Sequence, residues 1–233
     1  MRLLIHVEGQ TEETFVSEIL APHLSNYGYY SVAARIVGNP RHRARGGIRP
    51  WPVVRREIIR HLSEDPDCVA TTMVDYYGLP QEDSAAWPGR AQASTLKPAD
   101  RATSVERALF DDLKDYIVRP LRFVPFVLMH EFEALLFSDC RLLSRGIGRQ
   151  DLQPEFEAVR RQFSTPEDIN DSPQTAPSNR ISQILPSYQK PLYGSLAILE
   201  IGLAAIRQEC PHFDQWLAVL EAPPVVAAAP GLR

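Results

Sequence analysis

The chain begins MRLLIHVEGQTEETFVSEIL (residues 1–20), and this stretch indicates the fold. The run from Leu3 to Val7 is apolar in the way that buried strands are. Thr11 is a suitable helix N-cap, acids follow it in the first turn, and apolar residues then recur at helical spacing. A strand followed at once by a helix is therefore predicted, with Glu8 at the junction.

Three more strand-like runs follow, and helical patterns around residues 53–62 and 104–118 separate them. The runs are SVAARIV (31–37), VATTMVDYYG (69–78) and FVPFVLMH (123–130). Alternating strands and helices predict an α/β fold with a mostly parallel, four-stranded sheet flanked by helices, a Rossmann-like arrangement. Beyond residue 139 the pattern is helical only. We therefore expect an α/β domain (1–140), a helical extension packed on it (141–222) and a flexible tail (223–233).

The composition is that of an ordinary globular protein. Of its 233 residues, 44% are hydrophobic, which is enough for a full core. A net charge of −4 means that any nucleic-acid contact must come from a local patch. Three widely spaced cysteines fit buried thiols in a reducing cytoplasm better than disulfides or a zinc site. The most apolar stretch (192–206) is interrupted by Glu200 and is shorter than the ~20 residues of a membrane span, so we expect a cytoplasmic protein without membrane contact.

Acidic residues recur where the predicted strands end. Glu8 follows the first strand, Asp75 ends the third, and Glu131 and Glu133 follow the fourth. In an open parallel sheet, functional residues collect at the carboxyl ends of the strands. Clustered carboxylates repel unless a divalent cation neutralises them, and oxygen ligands without a His/Cys cluster favour Mg²⁺ or Mn²⁺ over zinc. Metal-assisted phosphoryl chemistry is the resulting hypothesis.

Each acid also has a simpler interpretation. Glu12 and Glu13 could be ordinary helix N-terminal acids. Asp75 could cap a loop, and His130 could be an ordinary histidine at a strand end. Glu8 is the strongest candidate, because a carboxylate between an apolar strand and a glycine is an unusual packing choice.

A basic stretch lies between residues 35 and 60, where eight arginines stand against a single acid, Glu57. Its glycines and prolines allow the arginines to reach outward, and Arg is well suited to bidentate phosphate contact. A solvated face or a docking surface for an acidic partner is the alternative. Trp51 either stacks on a base or anchors the following helix. The residues expected to bind nucleic acid are Arg41, Arg43, Arg45 and Arg49.

Several of these stretches resemble known families. VEGQTEE (7–13) resembles the first motif of TOPRIM domains, and its VEGxTE form is similar to that of the overcoming-lysogenization-defect nucleases. VDYYGLP (74–80) lies where those domains have a DxD motif. From Leu3 to about Leu220, the chain more specifically resembles a bacterial family of uncharacterised TOPRIM-like proteins, the domain of unknown function 4276. That resemblance rests on HEFEALLFSD (130–139), APSNRISQILPSYQK (176–190) and CPHFDQWL (210–217).

The TOPRIM resemblance implies a Mg²⁺- or Mn²⁺-dependent nucleic-acid enzyme. It implies that the first-motif glutamate acts in acid/base or metal chemistry and that the DxD aspartates bind metal. Glu8 matches that glutamate and Asp75 the first aspartate, whereas Tyr77 occupies the position of the second. Glu131 or Glu133 could supply the missing ligand. The predicted catalytic residues are Glu8, Glu12 and Asp75, and the predicted metal ligands are Glu8, Asp75, Glu131 and Glu133.

Two functions follow as hypotheses. The first is a metal-dependent nuclease, with DNA preferred to RNA as its partner, in an ATPase-associated defence or DNA-processing system. The second is a non-catalytic nucleic-acid-binding or regulatory subunit of an ATPase partner, in which Tyr77 marks a degraded site. A Mg²⁺ or Mn²⁺ titration separates them, because the second function needs no metal.

Overall fold

A computed structural model describes residues 1–37, 48–169 and 174–222 of the chain. The strands are β1 (Arg2–Val7), β2 (Ser31–Ile36), β3 (Cys68–Asp75), β4 (Phe123–Val124) and β5 (Val127–Leu128). The helices of the first 140 residues are α1 (Gln10–Phe15), α2 (Ala21–Leu24), α3 (Trp51–Glu64), α4 (Arg90–Ala93) and α5 (Pro98–Leu113). The later helices are α6 (Cys140–Gly146), α7 (Gln153–Arg160), α8 (Pro177–Ile184), α9 (Ser195–Glu209) and α10 (Pro211–Glu221). These elements confirm the predicted α/β class and its helical C-terminal part.

The sheet is parallel at every pairing in the described residues. Its strand order is β2-β1-β3-β4, and β5 pairs with β3 beyond β4. The end of β1 is aligned with both neighbours, since Val7 lies opposite Ile36 on one side and Met73 on the other. Asp75, the last residue of β3, pairs with Leu128. The carboxyl ends of β1, β3 and β5 therefore lie along one edge.

The predicted fourth strand is two short strands, and Pro125 is the reason. Proline has no backbone N–H to give to the ladder, so β4 ends at Val124. Thr72 of β3 replaces the missing contacts with its hydroxyl, which donates to the Phe126 carbonyl at 2.8 Å and accepts from the Phe126 N–H at 2.9 Å. The chain then rejoins β3 at Val127. The sheet thus has five strands where four were expected.

Both faces of the sheet are covered. Leu3, Ile5 and Val7 point into a core that includes Phe213 and Trp216 of α10. Leu4, on the opposite face, belongs to a second core formed with α3 and α5. Burial on both sides explains the nearly continuous apolar run of β3, all of which is buried.

The described residues after 139 form helices joined by turns and contain no strand, and the helices pack on the sheet. The division into an α/β domain and an extension stays a prediction, and the predicted tail (223–233) lies outside the described residues. Within the described ranges, no helix combines the length and the apolar character needed to cross a membrane.

Candidate functional site

Glu8 lies directly after β1 and is half-buried. The turn after β3 packs against it closely, because a Cβ atom built on Gly78 would lie 3.2 Å from Glu8 Oε2. In the described part of the chain, this buried Oε2 has no hydrogen-bond partner. Burial raises the pKa of Glu8, the nearby Glu133 carboxylate raises it further, and Lys190 opposes both. An unsatisfied carboxylate oxygen in such a place is a candidate ligand atom.

Glu12 is the inward-facing member of the acid pair in the first turn of α1. It is buried, whereas Glu13 is exposed. Burial raises the pKa of Glu12 to about 7, and the charges of Glu8 and Glu133 act in the same direction. A helix N-terminal acid on the surface would experience none of these effects. Glu12 is therefore a candidate site residue, whereas the exposed Glu13 fits the interpretation as an ordinary helix N-terminal acid.

Asp75 ends β3 and is almost completely buried. One carboxylate oxygen, Oδ1, accepts a hydrogen bond of 2.9 Å from the Phe132 N–H. Burial raises the pKa of Asp75 well above its usual value, and the charges of Glu8 and Glu12 add to the effect. Glu8, Glu12 and Asp75 thus share one electrostatic environment, although they come from two strand ends and a helix.

Glu131 and Glu133 reach the same environment through a sharp turn. His130, just before them, has a φ of 69°, a left-handed conformation that is strained for a residue other than glycine. Glu131 Oε2 accepts a hydrogen bond of 2.9 Å from the backbone N–H of Ser178, in the first turn of α8. Glu133 is 2% exposed, and its Oε2 lies 2.9 Å from Lys190 Nζ.

Lys190 is the site residue that the sequence analysis missed. Burial works against its charge, but the Glu133, Asp75 and Glu131 carboxylates together raise the pKa of Lys190. The ammonium group is therefore a built-in counter-ion for the acids. Its one signal in the sequence is its position at the end of APSNRISQILPSYQK, a stretch that carries the family resemblance. No pattern there indicates which acid it contacts.

The donor chemistry of this carboxylate cluster fits a hard divalent cation. Burial and repulsion raise the pKa values of Glu8, Glu12 and Asp75, and Glu8 Oε2 has no hydrogen-bond partner among the described residues. A bound divalent cation would stabilise the charged carboxylates and accept that oxygen as a ligand. Across residues 1–37, 48–169 and 174–222, however, no three His, Cys, Asp or Glu side chains are already arranged around a single ion position. Metal binding would require the carboxylates to move closer together.

The arginines of the basic stretch differ from one another. Arg41, Arg43 and Arg45 lie outside the described residues. Arg49 forms a bidentate ion pair with Glu57, with N–O distances of 2.8 and 2.6 Å. Its guanidinium group is thus already engaged within the protein. Trp51 is buried against Trp87 and donates to Asp112, as expected for a helix anchor.

The fold and the site together define an α/β protein with a buried carboxylate cluster, partly neutralised by a lysine, at the carboxyl edge of a parallel sheet. A family model described as Domain of unknown function (DUF4276) matches residues 7–221, and the chain belongs to that family. This chain is also similar to two solved structures of the C-terminal region of the Xanthomonas campestris pv. campestris OLD protein, one phased with mercury and one with iodine. Each is 14% identical and aligns with 93% of this chain and 96% of its own, with TM-scores of 0.37 and 0.36. No curated protein matches.

Proposed function

We propose that this protein is a Mg²⁺- or Mn²⁺-dependent phosphodiester hydrolase of the TOPRIM type that acts on nucleic acid. The observation that carries the proposal is the convergence of Glu8, Glu12 and Asp75, three carboxylates whose pKa values burial raises at the edge where β1 and β3 end. Structural ion pairs rarely leave several acids in this condition without enough counter-charge, whereas functional sites often do. The VEGQTEE and VDYYGLP motifs support the TOPRIM assignment.

The residues divide into three roles. Glu8, Asp75, Glu131 and Glu133 would hold the cation. A bound divalent cation would supply Lewis-acid stabilisation of the phosphate and a more acidic water. Glu12, with a pKa of about 7, is suited to accept and return a proton near neutral pH.

Lys190 would keep the cluster stable before the cation arrives. Because its Nζ lies at the Glu133 carboxylate, it offsets part of the repulsion among the acids. With a cation held by the acids, the Lys190 ammonium would be free to contact a phosphate oxygen of the substrate. It would then place positive charge where negative charge develops during hydrolysis.

Substrate binding is proposed to use Arg41, Arg43 and Arg45 of the basic stretch against the nucleic-acid backbone. Arg49 is a weaker candidate than the sequence suggested, because its two nitrogens already hold Glu57. DNA is the preferred substrate in this proposal, within a cytoplasmic system that includes an ATPase partner.

A second candidate function is a non-catalytic nucleic-acid-binding or regulatory subunit. The Lys190–Glu133 pair favours it, because this ammonium already neutralises an acid that a metal site would need. Tyr77, at the position of the second motif aspartate, points the same way. The two functions differ in a single measurable property, which is dependence on a divalent cation.

The test compares Glu8→Gln with Glu13→Gln. Both substitutions remove one charge and keep the size, but Glu13 is exposed and one residue from the buried Glu12. We expect Mn²⁺-dependent cleavage of a labelled oligonucleotide by the wild type and by Glu13→Gln, and a loss of about 100-fold or more in Glu8→Gln. Circular dichroism should show that all three proteins are folded. Binding without cleavage, unchanged by Mn²⁺ or EDTA, would instead identify the regulatory subunit.

A further inference from the structure

Two arginines at the ends of the basic stretch lie on the edge strand β2 and on helix α3. Arg35 of β2 lies opposite His6 of β1 in the parallel register. Helix α3 carries Arg60 and His61, and the His61 ring centroid lies 5.7 Å from that of His6. Arg35 and Arg60 are both exposed. We call this region the β2–α3 face.

The arginines of this face are unpaired among the described residues. Glu57 is an acid whose charge acts on His61, but Arg49 occupies both of its oxygens. Arg2, at the start of β1, is paired with Asp65 at 3.1 Å. Within the described ranges, Arg35 and Arg60 have neither an ion pair nor a side-chain hydrogen bond.

Two buried histidine nitrogens near this face also lack hydrogen-bond partners among the described residues. His6 is fully buried and its Nδ1 lies 3.1 Å from the Thr71 carbonyl, so Nδ1 carries the hydrogen and Nε2 is an acceptor. Among the described residues, neither His6 Nε2 nor His61 Nδ1 has a hydrogen-bond partner. Buried polar groups are normally satisfied by protein, ordered water or ligand. His6 Nε2 is an acceptor and needs a donor such as water, whereas His61 Nδ1 can donate to an anion when its ring is protonated.

The electrostatic effect on His61 gives the sign of the missing group. Burial lowers the pKa of His61, and the charges of Arg35 and Arg60 lower it further, with a smaller contribution from Arg2. The charge of Glu57 acts in the opposite direction. The potential at this imidazole is therefore positive, which favours an anion.

We propose that the β2–α3 face binds a phosphate group of a nucleic-acid backbone through Arg35 and Arg60, beside His61. Guanidinium groups form bidentate contacts with phosphate oxygens, and two exposed arginines at an open sheet edge suit a strand that passes across the surface. The proposal rests on the substrate class of the proposed function and adds a specific contact to it. It uses only residues that the structure describes, independently of Arg41, Arg43 and Arg45.

The first test is the salt dependence of binding in Arg35→Ala/Arg60→Ala. The matched control is Arg107→Ala/Arg119→Ala, which removes the same charge from two exposed arginines elsewhere on the surface. Affinity for a fluorescein-labelled single-stranded oligonucleotide would be measured by anisotropy in EDTA, where no turnover occurs. We expect the slope of log K against log salt to flatten by about 1.4 for the two lost contacts, with an affinity loss of tenfold or more at about 0.1 M salt. The control should keep the wild-type slope.

The second test follows His61 by NMR. A bound anion stabilises the imidazolium form, so the pKa of His61 should rise when an oligonucleotide is added and should not rise in Arg35→Ala/Arg60→Ala. Inorganic phosphate at the same phosphate concentration separates the two sources of this chemistry. A rise with the oligonucleotide alone, or with both, supports the proposal. A rise with inorganic phosphate alone overturns the backbone assignment, and no rise with either overturns the site.

The outcomes also separate this inference from the proposed function. If the wild type never cleaves but the salt slope flattens in Arg35→Ala/Arg60→Ala, the phosphate contact is supported and the hydrolase proposal is overturned. If cleavage depends on metal but the salt slope is unchanged in that variant, the hydrolase proposal is supported. That second result would overturn the phosphate contact and indicate that the β2–α3 face binds an acidic protein partner instead.

Discussion

Glu12 holds a carboxyl group that burial keeps partly protonated near neutral pH. Its pKa in the folded protein is about 7, above the ordinary value of 4.5. The folded state therefore binds more protons than the unfolded state between these values, so this group makes stability fall as pH rises through that window. The cost above pH 7 is at most about 3 kcal/mol for a shift of this size.

The Glu12→Gln variant should therefore be more stable than the wild type at pH 8 and similar to it at pH 4. Urea unfolding in EDTA at the two pH values measures this difference, and exposed Glu13→Gln is the control. Adding Mn²⁺ should reverse the order at pH 8, because a bound cation favours the charged carboxylate. An identical pH dependence in Glu12→Gln and the wild type would show that Glu12 ionises like a surface acid.

Tyr77 lies in the turn that follows Asp75 at the end of β3. Its backbone N–H donates to the His130 carbonyl at 3.1 Å, so the turn that carries it is fixed, while its side chain is 40% exposed. Tyr77→Asp would place another carboxylate two residues after Asp75. We expect about tenfold tighter Mn²⁺ binding by calorimetry, in the lower range of effects reported for residues that support metal ligands. Tyr77→Phe should leave the affinity unchanged, and equal affinities in all three proteins would place residue 77 outside the site.

At the scale of elements, the segment between α8 and α9 completes the carboxylate cluster. The first turn of α8 supplies the Ser178 N–H to Glu131, and Lys190 supplies an ammonium to Glu133. Strand ends and the helical extension thus contribute to one site. In the proposed hydrolase, cleavage should be sensitive to changes in this segment even though the strand-end acids remain in place.

Lys190→Met tests the role of that segment directly. Without the ammonium, Glu133 is left buried and uncompensated, which should destabilise the metal-free protein by about 1–2 kcal/mol. The figure is below that of a fully buried pair because the Lys190 side chain is 46% exposed. Mn²⁺ should raise the melting temperature of Lys190→Met more than that of the wild type, since the cation no longer competes with an internal positive charge. A smaller rise in the variant would mean that Lys190 helps to hold the ion.

The strand ends could be predicted from the sequence because their position follows from local pattern and parallel topology. Glu8 and Asp75 lie after apolar runs, and the register brings those runs to the same edge. Lys190 could not be placed in this way, because its contact with Glu133 spans 57 residues and no periodicity determines which acid a lysine meets. Arg49 was assigned to nucleic acid because a loop arginine looks free in sequence, whereas only the structure shows Glu57 on α3 within its reach.

For the whole molecule, the two cores on opposite faces of the sheet determine how the parts depend on one another. One core joins β1 and β3 to the C-terminal helices. Trp216 of α10 stacks on Phe126 with ring centroids 4.4 Å apart, and its indole N–H donates to Thr71 Oγ1 at 2.9 Å. The C-terminal helices thus bury the same strands that carry the acids. Residues 1–140 alone would expose this face of the sheet, so we expect the chain to unfold as a unit.

Trp216→Ala measures this dependence. Removing a buried indole should cost about 3–5 kcal/mol, whereas Trp216→Phe should cost less because it keeps a ring against Phe126 and loses mainly the hydrogen bond. Val118→Ala, at a site 95% exposed, should change stability by less than about 0.5 kcal/mol. Urea unfolding would be followed by circular dichroism and by the fluorescence of Trp51 and Trp87, which lie in the core on the opposite face. Because β1 and β3 belong to both cores, the two signals should shift together in Trp216→Ala, and a fluorescence transition that stayed in place would establish 1–140 as an independent domain.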